Sequence, residues 1–270
     1  MYPILISFGP VEIYTYGVFL AMAFYFSVQW AVRIGTRRGF DEEMILNLAV
    51  VSILSAILGA RTAYVYVYWD QFFADSYWDV FKVWQGGLVF YGGLIGGVCG
   101  GIGYWWLRGM SILAMLDVAV MSVSLGHAIG RVGCFFYGCC YGKIVPFGSA
   151  WLSLGHQFPH LDGIRYPVQM MSSMGNALIF ILLIFVLKKA KRPATVTIVY
   201  CYIYSLFRFI IELFRDDPRG TILGVTQLST SQTISVLILF AGICLHSYMT
   251  FGPGKGLKLP YDDNKVAPDR

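Results

Sequence analysis

The chain has 270 residues, 57% of them hydrophobic and only 13% charged, about half the charge of an ordinary soluble domain. That is more apolar surface than one water-soluble globule of this length can hide, so the predicted fold class is all-α, a polytopic membrane helix bundle. The net charge of +5 follows from where basic residues flank the membrane and does not point to nucleic acid.

The N-terminal stretch "MYPILISFGPVEIY" has no basic n-region, so no cleavable signal peptide is expected and the first helix stays. Apolar windows of about 20 residues, the length a spanning helix needs, run near 11–32, 44–66, 86–107, 113–135, 168–187, 194–214 and 230–249. They are continuous rather than alternating, which argues against a barrel. Tyr64, Tyr66, Tyr68 and Trp69 close the second window as an interfacial aromatic belt. The third window carries "GGLVFYGGLIGGVCGG", Gly86 to Gly101. Its glycines either let helices approach closely or break the helix and turn backbone N–H groups toward an anion. After the fourth window, residues 141–167 hold Pro146, Gly148, Gly155, Pro159 and Gly163 and read as a small periplasmic elaboration. Residues 1–250 are thus one transmembrane domain, and the polar, Gly/Pro-rich tail, 251–270, is expected to be disordered.

Basic residues set the orientation. Arg33, Arg37, Arg38, Arg108, the "KKAKR" run and the tail cations make twelve on one side, against Lys82, Lys143, Arg165, Arg215 and Arg219 on the other. The excess belongs inside. About seven spans follow, with the N-terminus outside, the C-terminus cytoplasmic, and a bacterial inner membrane as the location.

Arg61, Arg131 and Arg208 remain within the windows, where each costs roughly 2.5–3.5 kcal/mol at a helix centre. At 1.5 Å per residue all three fall in the outer half of the bilayer, and Tyr16 and Tyr91 reach a similar layer from helices running the other way. Guanidinium groups hold phosphate bidentately, and the phosphates abundant at that depth belong to lipids. Glu212 stands one turn after Arg208 and is able to neutralise it. His127 stands one turn before Arg131, as a packing residue or a base. Asp117 lies near the inner surface, where a helix-start role is expected. Cys99, Cys201 and Cys244 behave as small apolar residues in the spans. Cys134, Cys139 and Cys140 lie near the outer face, where a disulfide is possible; their C-x4-C-C spacing matches no familiar tetrahedral zinc site, so no metal is expected.

Taken together, "YTYGVFL", "GAR", "FYGGLIGG", "GRVGCFFYG", "YPVQ" and "FRFIIELFR" resemble the prolipoprotein diacylglyceryl transferases of bacterial inner membranes over nearly the whole chain. The resemblance implies transfer of a diacylglyceryl group from phosphatidylglycerol to the lipobox cysteine of a prolipoprotein signal peptide. It makes Arg131, Arg208, Tyr91, His127 and Glu212 the catalytic candidates. Phosphatidylglycerol would be held by Arg131, Tyr16, Gly92, Gly93, Gly96 and Gln169, with no cofactor. Four positions depart from the family pattern: Tyr91 replaces a histidine, Cys134 an asparagine, and Cys139 and Ser172 each a glutamate. These changes fall on proton transfer rather than on the arginines. His127 becomes the first substitute base and Tyr91 the second. A non-catalytic lipid- or signal-peptide-binding relative, a small transporter and a thiol oxidoreductase stay open as alternatives.

Overall fold

In the computed structural model, residues 3–8, 11–73, 77–83, 86–109, 111–159, 161–216 and 228–257 are described. Arg219 and most of the tail expected to be disordered lie outside them. Two compact units are present: one runs from the N-terminus to Ala31 and again from Leu116 through the last helix, and the other is Val32–Met115.

The first unit begins with an antiparallel hairpin, β1 (Ile4–Phe8) and β2 (Val11–Tyr14), in which Ile6 faces Ile13 and Ser7 faces Glu12. The first window had been expected to turn helical at residue 11. The β-branched Val11 and Ile13 alternate with Glu12 and Tyr14, a period-2 pattern that favours strand. Helix α1 (Thr15–Arg37) therefore starts four residues later. Its first residue is buried and donates its N–H to the Pro3 carbonyl, 2.9 Å away.

Four further long helices complete this unit: α4 (Ile112–Tyr137), α5 (Val168–Lys189), α6 (Thr195–Glu212) and α7 (Thr230–Phe251). Helices α1, α4 and α5 are joined by hydroxyl-to-carbonyl bonds of the kind that take over from the hydrophobic effect inside a membrane. Ser27 Oγ donates to Ser122 O at 2.8 Å, Ser124 Oγ to Asn176 O at 3.0 Å, and Ser173 Oγ to Ala128 O at 2.7 Å. Around these bonds Met121, Ile179, Leu183, Val196 and Tyr200 form a buried apolar cluster. Asp117 is fully buried. Its Oδ1 accepts from the Thr197 N–H at 2.8 Å and from Thr197 Oγ1 at 2.7 Å. Asp117 therefore caps the first turn of α6, not its own helix, because Ala194 ahead of that turn offers no side-chain acceptor. Helix α7 supplies its own cap, a reciprocal pair between Ser229 and Gln232.

The connection after α4 forms the small elaboration expected there. A two-residue hairpin, β3 (His156–Gln157) with β4 (Ile164–Arg165), is extended by an isolated bridge from Ile144 to Arg165. A second bridge joins Gly142 to Arg215, and Lys143 donates its N–H to Phe214 O at 2.8 Å. These bonds tie the chain just past α6 to the chain just past α4. Phe158, fully buried, packs against Phe135 and Tyr141 beneath them.

In the second unit, α2 (Glu42–Val67) is capped by Asp41, whose side chain accepts from Met44 N at 3.2 Å. Helix α3 (Phe90–Arg108) is continuous through its glycines and ends at Gly109, φ 63°. A side chain at Gly92 would strike Gly59 O and Ala63; one at Gly96 would strike Ser55 O and Gly59. Of the two readings of that run, close helix packing is the one the structure displays, and the broken helix is corrected. Arg61 is buried and turned onto the loop before α3. It donates from Nε to Val80 O (2.9 Å), from Nη1 to Gly86 O (2.7 Å) and Gly87 O (3.2 Å), and from Nη2 to Asp79 O (2.6 Å). Every nitrogen of that guanidinium already serves a carbonyl, which removes it from the phosphate layer expected of Arg61, Arg131 and Arg208.

Among the described residues, six helices (α1, α2, α4, α5, α6 and α7) have the length and apolar composition of membrane spans. Helix α3 is also about 28 Å long at 1.5 Å per residue, but seven glycines dilute its apolar run. The chain is an all-α integral membrane protein.

Candidate functional site

The expected site residues divide between the two units. Tyr91, Gly92, Gly93 and Gly96 lie in the first two turns of α3 in the second unit, Tyr91 half-buried with its ring edge-on to Phe90 at 5.5 Å. Tyr16, His127, Arg131, Gln169, Arg208 and Glu212 all belong to the first unit, where the structure brings them into one neighbourhood.

Arg131 is positioned from its own helix. One turn earlier, His127 accepts from its Nε through Nε2 at 3.1 Å. Guanidinium has no acceptor, so the imidazole is neutral here and its lone pair is engaged. His127 orients Arg131, and the lone pair it would need as a base is engaged in this bond. No carboxylate faces Arg131 among the described residues.

Arg208 is held at two points. Its Nη2 reaches Glu212 Oε2 at 2.8 Å, one turn on, and Ser231 Oγ of α7 at 2.8 Å. Glu212 is buried, takes a hydrogen bond from Ser229 Oγ at 3.0 Å, and stands 3.9 Å from Nε of Arg215. Arg131, Arg208 and Arg215 all act electrostatically on His127, so three cations gather around it, with Glu212 beside Arg208. Charge of that sign in a membrane segment marks an anion site unless it is neutralised.

Arg215 was missed, having been counted among the loop cations. Its side chain is only 2% exposed, because the bridge to Gly142 folds the end of α6 back under the elaboration. The spacing R-x3-E-x2-R, Arg208 to Arg215, puts each arginine three or four residues from Glu212 and was the available signal.

Around Arg131, α1 and α4 come together at Gly133, where a side chain would strike Phe19 beside Tyr16. Tyr16 is in electrostatic reach of Arg131 and of all three cysteines near the end of α4. Gln169, almost wholly buried, donates through Nε2 to Cys139 O at 2.7 Å, while its Oε1 has no partner among the described residues. Ser172 lies three residues further along α5, also buried.

Helix α4 stops at Gly138 (φ 85°), and Cys140 adopts a left-handed φ of 63°. This turn returns the chain on itself, so that the Sγ atoms of Cys134, Cys139 and Cys140 all lie within 4.8 Å of one another. No disulfide joins them among the described residues. Hydrogen bonds from Cys134 and Cys139 hold the Cys140 thiol well below its ordinary range, helped by Arg131 and Arg215. The same bonding pushes Cys139 up. The spacing in sequence gave no hint of this convergence.

The model of one protein family, described as prolipoprotein diacylglyceryl transferase, matches residues 3–248. Similar curated proteins carry the name phosphatidylglycerol–prolipoprotein diacylglyceryl transferase. One from Clostridium tetani is 33% identical over 90% of this chain and 96% of its own length. Another, numbered 2, from Clostridium perfringens is 32% identical over 88% and 91%, and one from Oceanobacillus iheyensis is 30% identical over 90% and 86%. With the family's model matched along nearly the full chain, the protein belongs to the prolipoprotein diacylglyceryl transferase family.

Proposed function

We propose that this chain transfers the diacylglyceryl group of phosphatidylglycerol to the lipobox cysteine thiol of a prolipoprotein signal peptide, the first step of lipoprotein maturation, in the bacterial inner membrane. The observation that carries the reading is the convergence of Arg131, Arg208 and Arg215 on His127, with Glu212 pairing Arg208. It gathers cations where the abundant anions are lipid phosphates.

In this reading Arg131, oriented from its Nε, offers its two terminal nitrogens to the phosphate. Arg208, fixed by Glu212 and Ser231, stabilises the charge that develops there. The substrate sulfur attacks the glycerol carbon, the carbon–oxygen bond to phosphate breaks, and glycerol phosphate departs with the electron pair. Cations placed beforehand on the leaving oxygen lower that barrier without reorganising. Tyr16 and Gln169, in the same unit as the arginines, are the further candidate contacts for the lipid.

Incubation of the purified protein with phosphatidylglycerol and a lipobox peptide tests the function. The expected result is a peptide gaining the diacylglyceryl mass while glycerol phosphate is released. Lipid binding without turnover would overturn it.

A further inference from the structure

We propose that Cys134, Cys139 and Cys140 form a three-thiolate site for one zinc-class divalent ion whose fourth position takes the incoming substrate thiol. The substrate role rests on the transferase reading above; the metal site itself does not.

The geometry comes first. Zinc–sulfur bonds of about 2.3 Å place the sulfurs of a tetrahedral site about 3.8 Å apart. The three Sγ atoms already lie within 4.8 Å of one another, so closing around an ion needs side-chain shifts of about 1 Å or less. The backbone is bent to achieve this. Cys140 sits in the left-handed region, which a non-glycine residue occupies only at a steric cost. The turn is secured on both sides, by Gln169 on the Cys139 carbonyl and by the Lys143–Phe214 hydrogen bond. Strain held in place by its surroundings is characteristic of ligand sites.

Charge agrees with the assignment. Three thiolates and a divalent ion leave one negative charge, and Arg131 and Arg215 both act electrostatically on Cys140. A four-ligand structural site needs a further cysteine or histidine; a three-ligand site with an open position is the catalytic pattern. The sequence test for zinc looked for the first kind.

The chemistry then answers what His127 leaves open. A substrate thiol is largely protonated near neutral pH, at an unperturbed pKa of about 8.5, and coordination to the ion deprotonates it outright. One carbon–sulfur bond forms and one carbon–oxygen bond breaks. The thiol proton ends on the departing glycerol phosphate, and the ion keeps its charge throughout, so no oxidant or reductant enters.

The test begins with protein purified anaerobically in zinc-replete buffer, its metal content measured after desalting. Wild type and the Cys244→Ser control are expected to retain about one zinc ion. Cys134→Ser, Cys139→Ser and Cys140→Ser should each bind it at least about 100-fold more weakly, beyond the 10–100-fold typical of outer-shell partners. Cobalt loading of wild type, which needs no variant to fold, should give thiolate-to-cobalt charge-transfer absorption of three-thiolate intensity. Retention unchanged in the triple serine variant, a cobalt form lacking that absorption, or a disulfide in place of the ion would overturn the site. Chelator-stripped wild type should lose peptide transfer and regain it with zinc. Undiminished transfer by stripped protein overturns the proposal and leaves the transferase reading standing. No transfer at any loading, with one zinc retained, sinks the transferase reading and keeps the site.

Discussion

Arg131 donates from Nε to Nε2 of His127 at 3.1 Å, one helical turn apart on α4. The bond fixes the plane of the guanidinium and the tautomer of the imidazole together, and under the proposed function this gives His127 the task of positioning Arg131. Glutamine retains an acceptor at about the same reach; alanine does not. His127→Gln is therefore expected to keep transfer within about 10-fold of wild type, and His127→Ala to lose about 100-fold, the scale of a misplaced catalytic group. Rates with phosphatidylglycerol and a lipobox peptide decide it. Equal losses in the two variants would return the imidazole to the role of base.

Glu212 stands between Arg208 and Arg215, and its side chain is 6% exposed. Glu212→Gln leaves Arg208 and Arg215 buried without that counter-charge. Removing one member of a buried ion pair typically costs about 3–5 kcal/mol. The comparison is Asp216→Asn. Asp216 pairs with Arg165 at 2.7 Å but is 46% exposed, so its loss should cost less than about 1 kcal/mol. Thermal unfolding in detergent should show a large drop for the first and almost none for the second. A reversed order would contradict the burial of the cluster.

The spans were legible because a membrane helix is written in continuous apolar composition, and α5 through α7 begin within a residue of where their windows open. Arg131, His127, Arg208 and Glu212 were legible because their partners lie one turn away on the same helix. What the sequence hid depends on the return of the chain. Arg215 reads as a loop cation until Gly142 pairs with it across 73 residues. The three sulfurs converge through one left-handed residue that no spacing rule describes. Arg61 looks like its fellow membrane arginines, yet carbonyls of its own loop claim it.

The glycines of α3 differ sharply in what they touch. A side chain at Gly96 would meet the Ser55 carbonyl and Gly59, while one at Gly103 would meet nothing within 4 Å. Gly96→Ala must push α2 and α3 apart, and overpacking of this kind typically costs about 1–3 kcal/mol. Gly103→Ala should be neutral or slightly stabilising, since alanine is the better helix former. Apparent unfolding temperatures of the two variants, measured side by side, check this; equal values would mean that the α2–α3 contact is looser than its backbone spacing.

Asp117 and Thr197 are 80 residues apart, and one carboxylate oxygen serves both the N–H and the hydroxyl of the threonine at 2.8 and 2.7 Å. Asp117→Ala strands both donors in a fully buried setting, and each orphaned group costs about 1–3 kcal/mol. Asp117→Asn keeps an acceptor oxygen in the same place and should recover most of that loss. The damage should be local to the start of α6, so amide exchange at Val196 to Ile198 is the sharpest readout. It should accelerate strongly in the alanine variant and little in the asparagine one, while residual transfer at low temperature stays near wild type, because the cap lies on the first turn of α6 and Arg208 on its last. Exchange spreading instead to Arg208 and Glu212 would mean that the cap sets the register of the whole helix and, through it, the aim of the cationic site.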